Sequence, residues 1–261
     1  MTARAPPADA VRPARGGLFV GLDFDGTLAP IADDPDAPVA GPAIRRTVAR
    51  FVADPGTTVA VVSGRAVDDL RPRVGIEGAI YAGNHGLELD WGGRTVRHPA
   101  AVRSRPALDR ALDRIRDLVA DVPGAEIEDK GATATIHVRG APADRVDDVR
   151  AAVAAAVDPE PSLVTNPGKE VFEIRPAVEW DKGTAVELLS NGVADEASVY
   201  VGDDVTDEDA FRVVAPDGVA VLVGDRQDSL ATHRLPNQAA VEPFLDRVAD
   251  ATLDRRRLPK P

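Results

Sequence analysis

Residues 20–28 read VGLDFDGTL, an apolar run that closes on two aspartates one residue apart, then a glycine and a threonine. Neighbouring carboxylates repel, so a strand end is an awkward place for both unless positive charge lies between them. The period of two along a strand points Asp23 and Asp25 the same way, roughly 6–7 Å apart. Open α/β sheets bind ligands at the C-terminal ends of their strands, where this pair falls. Gly26 permits a tight turn, and Thr27 offers a hydroxyl and the start of a helix. Taken alone, the pair also reads as an acidic turn with solvated carboxylates, so its meaning depends on the rest of the chain.

The first strand spans 18–22 (LFVGL), and similar runs recur at 57–62 (TTVAVV), 79–82 (AIYA), 198–201 (SVYV) and 219–223 (VAVLV). Continuous apolarity suits strands buried on both faces of a parallel sheet. Helical stretches lie between them. In AIRRTVARFV, Ile44, Val48, Phe51 and Val52 share one face, and TAVELLSNG ends on an Asn-Gly C-cap. The expected fold class is therefore α/β, an open parallel sheet with helices on its faces.

The middle of the chain has a different pattern. RPALDRALDRIRDLVADVPG sets Leu108, Leu112, Ile115 and Val119 at helical spacing, and ATATIHVR alternates as a half-buried strand does. ADRVDDVRAAVAAAV is a second amphipathic helix and VFEIRP a second short strand. Alternation points to a small α+β cap with one sheet face partly open. It is expected at 99–175, inserted into a core of 17–98 and 176–261, while 1–16 (MTARAPPADAVRPARG) reads as a Pro/Ala/Arg-rich disordered tail.

Composition excludes several classes. The 261 residues carry a formal net charge of −12, which argues against nucleic acid or an anionic membrane as partner. No apolar run approaches the ~20 residues that span a bilayer. The tail lacks the apolar centre of a secretory signal, and the chain has no cysteine, so disulfide and thiolate chemistry are absent and a cytoplasmic location is expected. Four lysines (Lys130, Lys169, Lys182 and Lys260) stand among 31 basic residues. A lysine in so arginine-rich a chain draws attention to its ammonium.

Three further motifs fall at strand ends or helix starts. VVSGR (61–65) ends a strand on Ser63, whose hydroxyl suits a phosphate oxygen, with N–H donors from Gly64 and Arg65. Its plain alternative is an ordinary Ser-Gly turn. Lys182, in EWDKGTAVELL, precedes a helix, where a compact point charge suits phosphate or a crowded carboxylate site; a surface lysine is the alternative. YVGDDVTDEDAF (200–211) leaves a strand through a glycine into five acids within seven residues. An EF-hand fails for want of glycine at position six and glutamate at position twelve, counted from Asp203 or Asp204. Carboxylates at two strand ends of one sheet converge on a hard divalent cation; a solvated acidic loop would not explain why the cluster opens directly on a buried strand.

In the order acid pair, hydroxyl, lysine, acid cluster, these segments resemble the four motifs of the haloacid dehalogenase-like (HAD) phosphatase superfamily. Cap segments sharpen the likeness. VSGR, GNHG (83–86), EDKGATATIHVR, GKEVFEIRP, DKG and GDDVTDEDAF are similar to the motif series of the trehalose-6-phosphate phosphatase family, over about 18–245. The resemblance implies a HAD-like Rossmannoid core and Mg2+-dependent hydrolysis of trehalose 6-phosphate, the last step of trehalose biosynthesis, through an aspartyl-phosphate. It implies Asp23 as nucleophile, Asp25 as general acid and base, and Ser63 and Lys182 as holders of the phosphoryl oxygens. Metal ligation is expected from Asp23, Asp25 through its backbone carbonyl, and Asp203, with Asp204 and Asp207 nearby. Substrate contacts are expected from Thr27, Gly64, Arg65, His85, Gly86, Glu128, Lys130, His137, Arg139, Lys169 and Glu173. The family is often fused to a synthase domain, which this chain is too short to include, so functional pairing with a trehalose-6-phosphate synthase is expected.

A phosphatase for sucrose 6-phosphate or mannosylglycerate phosphate shares the core motifs and differs only in the cap. A phosphomutase would need an activating bisphosphate and would yield isomerised product. A non-catalytic sugar-phosphate sensor would bind without releasing phosphate.

Overall fold

In a computed structural model of the chain, the quoted stretch begins as β1 (Gly17–Leu22), every residue of which is buried. Residues 10–11, 17–32, 34, 36–168, 170–191 and 196–257 are described. β1 lies between β2 (Thr57–Val62) and β10 (Glu196–Gly202), parallel to both, with Val20 opposite Val59 and Val199. β3 (Ile80–Gly83) and β11 (Val219–Val223) extend the parallel run on either side, and β12 (His233–Leu235) closes one end. An antiparallel β4 (Glu88–Trp91) and then β5 (Arg94–Arg97) close the other, so the order is β12-β11-β10-β1-β2-β3-β4-β5.

Both sheet faces are covered, as the unbroken apolar runs require. Leu18, Val20 and Leu22 face α1 (Pro42–Val52) and α7 (Val241–Arg257) in a core containing Val48, Phe51, Phe244 and Leu245. Phe19 points the other way, toward Val186, Tyr200 and Phe211, in the core beneath α5 (Lys182–Ser190) and α6 (Asp207–Val214). Burying a side chain such as Phe51 or Phe211 stabilises by about 1.5–3 kcal/mol relative to exposure. Of the expected tail, Ala10 and Val11 are described, and Val11 is buried in the first of these cores rather than free in solvent.

Val96–Glu179 form a second compact unit. It comprises α3 (Pro99–Leu118), β6 (Glu126–Asp129), β7 (Ala134–His137), α4 (Val146–Val157), β8 (Leu163–Gly168) and β9 (Val171–Pro176). Its sheet is antiparallel, in the order β6-β7-β9-β8. Ala134, Ile136, Phe172 and Ile174 pack with Leu108, Leu112, Ile115 and Val153 of α3 and α4. The opposite face is polar. One row across the four strands reads Glu128, Thr135, Glu173, Asn166.

The unit begins three residues before the expected position 99 and ends four after 175. His98 caps α3 by accepting from the Ala100 N–H, and the Ala177 N–H donates to the Ser162 carbonyl, tying both edges into the unit. Two of its four strands, β6 and β8, were not foreseen. EIED and LVTNPG carry acids, Asn, Pro and Gly, residues depleted in strands, and nearly all are exposed. The unforeseen β5 is exposed throughout.

Candidate active site

Parallel pairing brings the C-terminal ends of β1, β2 and β10 to one edge, which places Asp23, Ser63 and Asp203 together at the sheet's centre. The Asp23 N–H donates to the Val201 carbonyl, the last strand-like contact of β1. The chain then leaves strand geometry: the Phe24 carbonyl accepts from both Leu28 and Ala29 N–H (2.9 Å each), and the Gly26 N–H donates to the Ala29 carbonyl. The expected helix at Thr27 is replaced by this compact turn. Glycine is required there twice over, by its φ of +77° and because a Cβ would lie 2.1 Å from Asp203 Oδ2. As a result Asp23 and Asp25 meet different partners instead of pointing together as expected.

Asp23 turns into a buried charge cluster. Lys182 Nζ donates to Asp23 Oδ1 and to Asp207 Oδ1, both at 2.8 Å, and all three side chains are buried. Lys182 is the first residue of α5, whose N-cap Asp181 accepts from the Thr184 N–H at 2.7 Å. Asp207 Oδ1 also accepts from the Tyr200 hydroxyl (2.8 Å), and Oδ2 accepts from the Asp203 and Asp204 N–H groups (3.0 and 2.9 Å). With four donors, Asp207 anchors both the lysine and the acidic loop. Tyr200 was not singled out from the sequence, because SVYV reads as core; a buried phenol nonetheless needs a partner, and that was the available signal.

The cluster has more negative than positive charge. Burial pushes the Asp23 carboxyl well above its usual range; Lys182 opposes that shift, while Asp207 and Asp203 add to it. Asp203 is pushed up to about 6, by burial first and by Asp207 next. Burial alone would lower the Lys182 pKa, but Asp207 and Asp23 outweigh it and hold the ammonium charged. Ligand oxygens of Asp23, Asp203 and Asp207 lie within 4.8 Å of one another, and Asp203 Oδ1 is buried with no hydrogen-bond partner. An orphaned carboxylate oxygen in an all-oxygen, net-negative cluster fits a hard divalent cation. The Asp204 side chain is exposed and lies outside this group, and the Asp25 carboxylate is engaged by Arg65, which leaves its backbone carbonyl as the ligand expected of it.

Asp25 is bound by Arg65, whose guanidinium therefore faces carboxylates. Ser63 is buried and its Oγ accepts from the Arg65 N–H at 3.2 Å. Asn84 and His85 both adopt positive φ (50° and 57°), a costly conformation for residues with side chains. They are held by Asn84 N–H to the Arg65 carbonyl (2.7 Å), His85 N–H to the Ser63 carbonyl (2.9 Å) and Asn84 Nδ2 to Glu88 Oε2 (2.9 Å). This sets the His85 ring against Gly64, where a Cβ would lie 3.0 Å from the imidazole. Gly86 has a packing role, since its φ is +92° and a Cβ would fall 2.3 Å from Ala185 Cβ. Thr27 is fully buried, and its carbonyl accepts from Gln238 Nε2.

The residues expected from the cap lie on the inserted unit's polar face or beside it. Glu128 Oε2 accepts from His137 Nε2 at 2.9 Å, and Lys130 Nζ is 3.6 Å from the same oxygen. Glu173 lies between Thr135 and Asn166 in the cross-strand row. Arg139 lies beyond the end of β7 and pairs with Glu170 at 3.0 Å. Lys169 lies outside the described residues.

Known proteins resemble this chain in sequence and in fold. The sequence profile of the trehalose-phosphatase family matches residues 21–238. A trehalose-phosphate phosphatase of Mycobacterium marinum is 38% identical over 255 residues, 92% of this chain and 63% of that protein. One from Mycobacterium tuberculosis is 40% identical over 239 residues, 87% of this chain and 60% of that one. The chain thus spans about three-fifths of the length of these relatives. Among solved structures, the C-terminal domain of a Candida albicans trehalose-6-phosphate phosphatase superposes with a TM-score of 0.79 at 22% identity, covering 95% of this chain and 99% of that domain, a likeness of fold. The profile match over most of the length and relatives near 40% identity lead to one conclusion: the chain belongs to the trehalose-phosphatase family.

Proposed function

We propose that the chain is a Mg2+-dependent phosphatase that converts trehalose 6-phosphate to trehalose and phosphate. The observation that carries this reading is the buried Lys182 ammonium bridging Asp23 and Asp207 at the ends of parallel strands. Asp23 attacks phosphorus, a P–O(Asp23) bond forms as the P–O(sugar) bond breaks, and Asp25 passes a proton to the leaving oxygen. Water then attacks the aspartyl-phosphate, Asp25 takes its proton, and phosphate leaves with Asp23 restored. Lys182 and Ser63 hold phosphoryl oxygens as charge redistributes. Asp23, Asp203 and the Asp25 carbonyl would hold Mg2+, with Asp207 behind them; when bound it supplies positive charge that lets an anionic phosphate approach a net-negative cluster.

Glu128 and Glu173 are assigned to sugar recognition because they share a polar sheet face able to accept from hydroxyls, and Lys130, just past β6 and 3.6 Å from Glu128, because its ammonium can donate beside them. No described helix is long and apolar enough to cross a membrane; a cytoplasmic enzyme working alongside a synthase completes the reading. Phosphate release measured with Mg2+ across trehalose 6-phosphate, sucrose 6-phosphate and mannosylglycerate phosphate tests the assignment. The expected result is a kcat/KM at least about tenfold higher for trehalose 6-phosphate. Preference for another sugar phosphate, or no metal-dependent release at all, contradicts it.

A further inference from the structure

Arg65 directly follows the Ser63-Gly64 turn and is expected from sequence to offer phosphate its backbone N–H; its guanidinium is committed to two carboxylates. Nε donates to Asp25 Oδ2 and Nη2 to Asp25 Oδ1, both at 2.8 Å, a bidentate fork that fixes direction as well as distance. Nη1 donates to Asp69 Oδ2 at 2.9 Å. Asp69 stands in the first turn of α2 (Val67–Val74) and accepts at its other oxygen from Arg73 Nε at 2.6 Å. The guanidinium also lies over the Phe24 ring, 5.5 Å from its centroid. Asp25 is 39% exposed while Arg65 is only 16% exposed, so a carboxylate open to water is steered from its buried side. The chain Arg73–Asp69–Arg65–Asp25 thus runs from a helix to the proposed proton carrier, each member gripped at both ends except the last.

We propose that Arg65, braced by Asp69, is a positioning residue whose guanidinium sets the direction of the Asp25 carboxylate and is not itself a phosphate ligand. This rests on the reading of Asp25 as acid and base. A planar fork specifies one orientation of a carboxylate, whereas a point charge leaves it free to rotate, so lysine is no substitute here. Asp69 touches no part of the proposed reaction and acts only through Arg65.

The leaving group separates this role from the others. A sugar oxygen needs a proton from Asp25 as it leaves, but p-nitrophenolate does not. Both substrates need Asp25 to take the proton from water in the second step. Asp69→Asn, Arg65→Lys and Arg65→Met in the Mg2+-loaded full chain are therefore compared with wild type, by steady-state turnover of trehalose 6-phosphate and by rapid-mixing release of p-nitrophenolate. The expected result is a burst of p-nitrophenolate equal to the enzyme concentration followed by turnover slowed about 10–100-fold with KM falling alongside it, and a similar loss of turnover on trehalose 6-phosphate with no rise in KM. Arg65→Lys should rescue little of the loss. A rise in KM for both substrates with kcat kept would make Arg65 a phosphate ligand and overturn the inference. Burst and steady state falling together in Asp69→Asn would mark a structural role and overturn it also. Variants at wild-type rates sink the inference alone, whereas a wild type that releases phosphate from neither substrate sinks the phosphatase reading and the inference with it.

Discussion

Lys182 is enclosed by two buried carboxylates, Asp23 and Asp207, and its ammonium opposes the burial that pushes the Asp23 carboxyl up. Lys182→Met would leave Asp23 and Asp207 buried without it, and should cost about 3–5 kcal/mol in urea unfolding as well as abolishing turnover. Its rarity in an arginine-rich sequence made Lys182 legible. Asp207 was legible as part of an acidic cluster, but its hold on Tyr200, Lys182 and two N–H groups was not, because only the folded loop brings those donors to it. Asp203 gives a test with the opposite sign. Its carboxyl is raised from 3.8 to about 6 in the folded protein, so metal-free stability falls as pH rises through that interval. Above it, Asp203→Asn should raise the metal-free melting temperature and remove the rise that Mg2+ gives the wild type. A wild-type melting temperature indifferent to Mg2+ would count against a cation in this cluster.

At the scale of elements, the site depends on how closely the starts of α5 and α6 approach. Gly183, next to Lys182, has no side chain, and a Cβ there would lie 2.5 Å from the Asp209 carbonyl of α6. Gly183→Ala should push the helices apart, cost about 1–3 kcal/mol and lower kcat as Lys182 loses its double contact; a variant with wild-type stability and turnover would show the approach to be unimportant. The elements that build this region, β1, β2, β10, α1 and α5, were readable because burial on one or both faces writes a periodic apolar signal. Of the strands that escaped, β5, β6 and β8 lie at sheet edges, where exposure allows Glu, Asp, Arg, Asn and Pro and erases that signal. In contrast, β4 lies inside the sheet and escaped because it buries Glu88 and Asp90 in place of apolar residues. The divergence of Asp23 from Asp25 escaped for a related reason. A strand rule was extended past Leu22, where the Phe24–Ala29 turn takes over.

At the scale of the whole molecule, two units carry separate apolar cores, so their stabilities respond to different groups. In the inserted unit, a hydrogen bond from Arg105 holds the Asp129 carboxyl below its usual value, and one from Arg110, aided by Arg114, does the same for Glu160. Carboxyls lowered by folding stabilise above their unfolded values and lose that contribution as pH falls through their folded ones. Acidification below about pH 4 should therefore weaken the inserted unit, and Asp129→Asn should flatten that part of the melting-temperature profile; an unchanged profile would remove the ion pair from the account. Glu173→Ala should impair hydrolysis of trehalose 6-phosphate about tenfold or more while sparing p-nitrophenyl phosphate, and equal losses would take Glu173 out of sugar recognition. The central claim is that the buried Asp23 carboxylate attacks phosphorus. Its most direct test is Mg2+-dependent phosphate release from trehalose 6-phosphate by Asp23→Asn, with folding checked by its melting curve. Loss of activity by roughly 10³-fold or more in a folded protein is the result predicted. A folded Asp23→Asn protein retaining more than about a tenth of wild-type activity would contradict it.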